Sequence, residues 1–126
     1  SSAAEKDIAG VLMDNGDFSN VDFTGATLSK ASAQDANLEG AIFKNAIVDR
    51  VTFTGANLKG AVFQNAVLAG ATFEEANLEN SDFTDASLET YAVKPLCTNP
   101  TMKGTNPTTG QDTYLSAGCD NLSIFR

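Results

Sequence analysis

The stretch ANLEGAIFKNAIVDRVTFTGANLKGAVFQNAVLAGATFEEANLE, residues 36–79, repeats a pattern every five residues. A helix, with a period of 3.6, does not require this, and neither does a strand, with a period of 2. Extending the phase outward, a step of five from Phe18 to Val93 meets sixteen positions, filled by seven Phe, six Leu, two Val and Ala33. Two residues before each stands Ala in eleven of the sixteen cases, the others being Gly16, Val21, Val51, Ser81 and Tyr91. One slot of each pentad is therefore large and apolar, a second is very small, and the other three are mostly polar.

A short period held over so long a stretch marks a repeat architecture, in which each unit buries its apolar face only against its neighbours. A period of twenty lies on top of the five. Phe23, Phe43, Phe63 and Phe83 share one phase, and Phe18, Leu38, Leu58 and Leu78 the next. Leu28, Val48, Leu68 and Leu88 share a third, and Ala33, Phe53, Phe73 and Val93 the last. The blocks starting at Ala36 and Ala56 agree at ten of twenty residues, which a pentad rule alone would not demand. The chain reads as an all-β solenoid of about four square coils, one pentad to a side, stacked at the ~4.8 Å strand spacing.

The units ANLEG (36–40), ANLKG (56–60) and ANLEN (76–80) are similar to the A(D/N)LXX signature of the pentapeptide-repeat family, and the resemblance covers about residues 16–95. It implies a right-handed quadrilateral β-helix with Phe or Leu and the preceding Ala pointing inward. The core ladder is then Phe18, Phe23, Leu28, Leu38, Phe43, Phe53, Leu58, Phe63, Leu68, Phe73, Leu78, Phe83 and Leu88. Ala33, Gly16 and Tyr91 depart from the family pattern.

The flanks are expected to be helical caps, because the end coils of such a stack expose unpaired edges. Residues 1–15 carry a capping-box pair, Ser2 and Glu5, and apolar Ile8, Val11 and Leu12 at helical spacing. The alternative is further pentads, since Ile8 and Met13 keep the phase of five; Lys6 in the Ala slot weighs against it. Residues 96–126 form the C-terminal cap: Pro95, Pro100 and Pro107 appear and the pentad stops. Cys97 and Cys119, the only two cysteines, are expected to close this cap as a disulfide, with two free thiols as the alternative. The bridge would span about 22 residues and contribute roughly 3 kcal/mol. A zinc site lacks ligands, since the chain has no His, and the pair is not a C-x-x-C redox motif.

Composition narrows function. A length of 126 residues with 42% hydrophobic content makes one domain, and no apolar run reaches the ~20 residues of a membrane helix. Ser1 in place of an initiator Met suggests a processed or trimmed chain. A net charge of −8 argues against nucleic-acid binding. No catalytic residue, cofactor site or metal site is expected, because a filled β-helix has no lumen for a substrate and no His serves as acid or base. Two surfaces stand out. The acids Glu74, Glu75, Glu79, Asp82, Asp85 and Glu89 have no base between Lys59 and Lys94, and are either a solvated coil or a docking face for a basic partner. Asp17, Asn37, Asn57 and Asn77 stack along one face, whereas the same slot on the next two faces holds Ile42 with Val62 and Ile47 with Val67. These four would lie around one corner facing water, either as ordinary β-branched residues or as a partner contact.

A disulfide implies an oxidising compartment, and the whole layout is similar to plant members of the family in the thylakoid lumen. The resemblance implies a non-enzymatic structural or interaction module of the chloroplast thylakoid lumen, with an unidentified protein partner and a monomeric state. Two alternatives accompany it: an acidic DNA mimic that inhibits a topoisomerase, and a redox-responsive lumenal protein regulated through Cys97 and Cys119. The sequon at Asn121 would suit a secretory protein instead.

Overall fold

In the computed structural model the unit of the fold is a corner. The structure describes residues 1–121. In most pentads the carbonyl of the inward residue accepts the amide three residues on, as from Ala26 to Phe23 (3.0 Å) and from Ala46 to Phe43 (3.1 Å). The third residue of that turn has positive φ, as at Gly25 (+70°), Asn45 (+59°) and Asn65 (+58°). Such a turn needs a residue that tolerates left-handed backbone, which explains Gly and Asn at the close of so many pentads.

Two residues spent on each corner leave one per side to pair. Isolated parallel bridges join residues twenty apart, from Ser2↔Asp22 to Val67↔Ser87, and no longer strand forms among the described residues. Each bridge is double, as where Val62 donates to the Ala41 carbonyl (3.0 Å) and its own carbonyl accepts from Phe43 (2.7 Å). The twenty-residue phase becomes a vertical register. Phe23, Phe43, Phe63 and Phe83 stack with centroids 4.9–5.0 Å apart and nearly parallel rings. Phe53 and Phe73 form a second stack at 5.2 Å. Ala26, Ala41, Ala46 and Ala66 are fully buried beside them. Of the expected ladder, Phe18, Phe73 and Leu88 are only partly buried, and all three lie near an end of the stack. Outside, the Asn37 amide donates to Asp17 (3.2 Å) and the Asn57 amide to Asn37 (3.3 Å).

The N-terminal helix expected over residues 1–15 does not form. Ser2, Asp7 and Leu12 bridge to Asp22, Thr27 and Ser32, so these residues are the first coil itself. Ala3, Ile8 and Met13 take the inward slots, Glu5 closes a corner at φ +63°, and Leu12 turns outward, 81% exposed. Pairing with the next coil satisfies backbone groups that a one-turn helix on the surface would leave to water. Lys6, in the small slot, is exposed.

The repeat also ends earlier than residue 95. The last parallel bridge is at Ser87, and α1 (Thr90–Cys97) follows, so that Tyr91 and Val93 belong to a helix. Cys97 is bonded to Cys119 across a separation of 22 residues. Between them the chain lays an antiparallel bridge, Thr105↔Asp112, and a short α2 (Thr113–Ser116) against the last coils. Asn106 pins this segment: its side-chain amide donates to Gly60 O (3.2 Å) and Asn80 O (3.0 Å), while its Oδ1 accepts from the Thr108 and Thr109 amides.

Candidate interaction surfaces

Once the Phe ladder and Ala corners fill the interior, the chemistry of the chain lies on its faces and ends. The four aliphatic residues expected around one corner are paired by the bridges Ile42↔Val62 and Ile47↔Val67. They are not equally open. Ile47 is 37% exposed and Ile42 and Val67 are partly exposed, but Val62 is only 3% exposed. The loop held by Asn106 at Gly60 and Ala61 lies beside it. The corner patch is therefore Ile42, Ile47 and Val67.

The acids do not make one face. Asp82 is buried and accepts from the Thr84 amide (2.8 Å), leaving its Oδ2 without a hydrogen bond beneath the cap. Glu79 pairs with Lys59 at 3.7 Å on another side. Glu74, Glu75 and Glu89 do converge, around a groove of about 850 Å³ between the last coil and α1. Its floor and walls include Phe73, Leu88, Tyr91, Pro95 and Leu96, and among the described residues no Lys or Arg lines it. Glu89 is held in place by accepting the Gly70 amide (2.9 Å) and the Tyr91 phenol; that bond and the carboxylate charge raise the Tyr91 pKa.

The groove exists because the cap meets only some of the last coil's edge. Leu78 donates to Thr101 Oγ1 (2.8 Å), Asn80 to the Lys103 carbonyl (2.9 Å) and Phe83 to Ser116 Oγ (2.9 Å). On the side 71–75 no such bond is made among the described residues. One coil below, Phe53 donates to Thr72 O and Gly55 to Glu74 O, both at 2.9 Å, and Val51 O accepts from Thr72 (3.1 Å). The equivalent groups at Phe73, Glu75 and Ala71 open into the groove. Residue spacing could not show this, because it depends on where the cap docks; the one signal present was Tyr91 in a slot that calls for Ala.

Elsewhere the carboxylates are tied into the coil surface. Asp22 is held below the usual carboxylate range by the Thr24 hydroxyl and then its amide. Asp49 is lowered first by the Ser29 hydroxyl and then by Arg50, and Asp17 by the Ser19 amide and hydroxyl. Among the described residues no cluster of His, Cys, Asp or Glu could hold a metal ion, and no helix is long and apolar enough to cross a membrane. Asn121 of the sequon is described, but Ser123, its hydroxyl residue, lies outside the described residues.

Comparison with known proteins agrees with this geometry. The family model described as pentapeptide repeats (8 copies) matches residues 9–45, 17–55 and 46–85. The chain is similar to the crystal structure of a pentapeptide-repeat protein from the Arabidopsis thaliana thylakoid lumen, at 28% identity and TM-score 0.50, covering 93% of this chain and 90% of that one. A pentapeptide-repeat protein from Nostoc aligns at 26% identity and TM-score 0.65, over 71% of this chain and 75% of that one. HetL, a Nostoc pentapeptide-repeat protein involved in heterocyst differentiation regulation, aligns at 23% identity and TM-score 0.53, over 88% of this chain and 53% of its own, and bears on the fold alone. These relatives imply a right-handed quadrilateral β-helix. No curated protein matches the chain.

Proposed function

The chain belongs to the pentapeptide-repeat family, and from that premise we propose that it is a non-enzymatic protein-interaction module of the chloroplast thylakoid lumen, a monomeric right-handed β-helix closed at its C-terminal end. The observation that carries this reading is the filled interior: Phe43, Phe53, Phe63, Leu38, Leu58 and Leu68 are at most 1% exposed, so the coils offer a partner only their outer surface. A rigid stack of paired coils presents that surface at little entropic cost to binding. The lumenal placement is supported by the similarity to the Arabidopsis lumenal protein and by the disulfide, which persists in oxidising compartments.

The cysteine pair is read as a structural staple. Cys119 is fully buried and Cys97 is 8% exposed, which limits attack by an external thiol. The acids are spread over several sides, with Asp82 beneath the cap, and this favours protein binding over imitation of a charged DNA rod.

The test is affinity capture from thylakoid lumen extract with the wild type and the Ile42→Ser, Ile47→Ser, Val67→Ser variant, each with the disulfide intact. A protein retained by the first and lost by the second supports a lumenal partner at the corner patch. Equal capture by both returns these residues to ordinary surface, and no capture at all removes the lumenal interaction reading.

A further inference from the structure

We infer that the groove between residues 71–75 and α1 is a peptide-binding site for an extended segment of a partner protein, in which an aromatic or large aliphatic residue is followed by basic ones. The inference rests on the interaction-module reading and names the chemistry of one partner.

The backbone sets the register. In the coil below, Thr72 donates to Val51 O and accepts from Phe53, while Glu74 O accepts from Gly55. The groove offers the same three groups one level up: Ala71 O, Phe73 N–H and Glu75 N–H. One residue of an incoming strand would therefore bond both Ala71 and Phe73, and the carbonyl two residues later would accept from Glu75. Addition of a strand to an exposed edge is a recurrent mode of peptide recognition.

The side chains set the sequence. Between those two partner residues the side chain points inward onto the Phe73 ring, as Phe73 itself lies on Phe53 with centroids 5.2 Å apart. Phe73 is partly exposed whereas Phe53 is 1% exposed, so an apolar residue here completes a stack that the described residues leave open. The next two partner residues would stand over Glu74 and Glu75, with Glu89 across the groove, and among the described residues no Lys or Arg of the lining balances these acids. Basic residues satisfy them. A second copy of this chain would bring its own acids and a net charge of −8 to the same contact, and like charges oppose it.

The test uses the full chain and a fluorescent hexapeptide of alanine, threonine, phenylalanine, two lysines and alanine. This is the chain's own 71–76 sequence with lysine for both glutamates. Binding should shift the Phe73 and Glu75 amide resonances most. Exchanging the peptide's phenylalanine for serine, or its lysines for glutamate, should weaken binding about tenfold or more. Glu74→Lys with Glu75→Lys, both on exposed side chains, should reverse the preference between the lysine and glutamate peptides without changing the thermal melt. No binding, indifference to the phenylalanine, or shifts centred on Ile47 and Val67 would overturn the inference. So would about tenfold tighter peptide binding by a chain ending at Asn121, since the occupant would then be the chain's own last residues. No capture from lumen extract by the wild type, with peptide binding intact, would remove the lumenal reading and leave the groove standing.

Discussion

Phe53 and Phe73 occupy the same place in consecutive coils, yet Phe53 is 1% exposed and Phe73 only partly buried. Their places in the pentad are the same. Each follows Thr, each stacks on the other, and each sits in the large inward slot of a pentad. The difference is the next coil, which Phe53 has and Phe73 lacks. In a solenoid the stability of a unit comes largely from its neighbours, so the end of the stack is both less stable than the middle and the place where unpaired groups remain available to a partner.

The largest expected effect measures that contrast. Phe53→Ala should open a cavity in the closed stack at a cost of roughly 3–5 kcal/mol, whereas Phe73→Ala, whose ring already borders the groove, should cost roughly 1–2 kcal/mol. Equal losses in chemical denaturation would mean that the groove is closed in solution. Next comes the disulfide. Replacing Cys97 and Cys119 by Ser should cost about 3 kcal/mol through the freed loop, with amide protection lost over residues 98–118 and kept in the coils around Phe43. Asn106→Leu follows at about 1–3 kcal/mol, because the Gly60 and Asn80 carbonyls would lose their buried donor. It should also expose Val62, readable as new binding of a hydrophobic dye.

The smallest expected effect is acid sensitivity. Asp17, Asp22 and Asp49 have folded-state pKa values below their ordinary ones. Their contribution is therefore present above the ordinary carboxylate pKa and is lost as pH falls through the depressed values. Asp17 is exposed and Asp22 and Asp49 are partly so, and the loss is modest. A thermal midpoint that stays level toward neutrality and drops only in the acid range below the usual carboxylate pKa agrees with this; a midpoint that rises on acidification does not.

The ladder was legible because its rule is local: a large residue every five, a small one two before it, and agreement again at twenty. The first coil was misread although its corner residues Glu5, Gly10 and Asn15 already keep the period at which the backbone turns left-handed. Ser2, Glu5, Ile8, Val11 and Leu12 imitate a capped helix equally well, and only pairing to Asp22, Thr27 and Ser32 decides between the two. The burial of Val62 and Asp82 was not legible, and the groove at Phe73 was signalled only by Tyr91 in an Ala slot. They follow from where α1 and residues 98–117 dock, and that is set by contacts as remote in sequence as Asn106 to Gly60.

Residue-resolved hydrogen exchange tests the central claim that side 71–75 of the last coil is an open edge on a closed stack. The account predicts slow exchange for the Phe53 and Gly55 amides, which donate to Thr72 and Glu74, and near-unprotected exchange for Phe73 and Glu75. Protection of Phe73 and Glu75 comparable to that of Phe53 and Gly55 would contradict it.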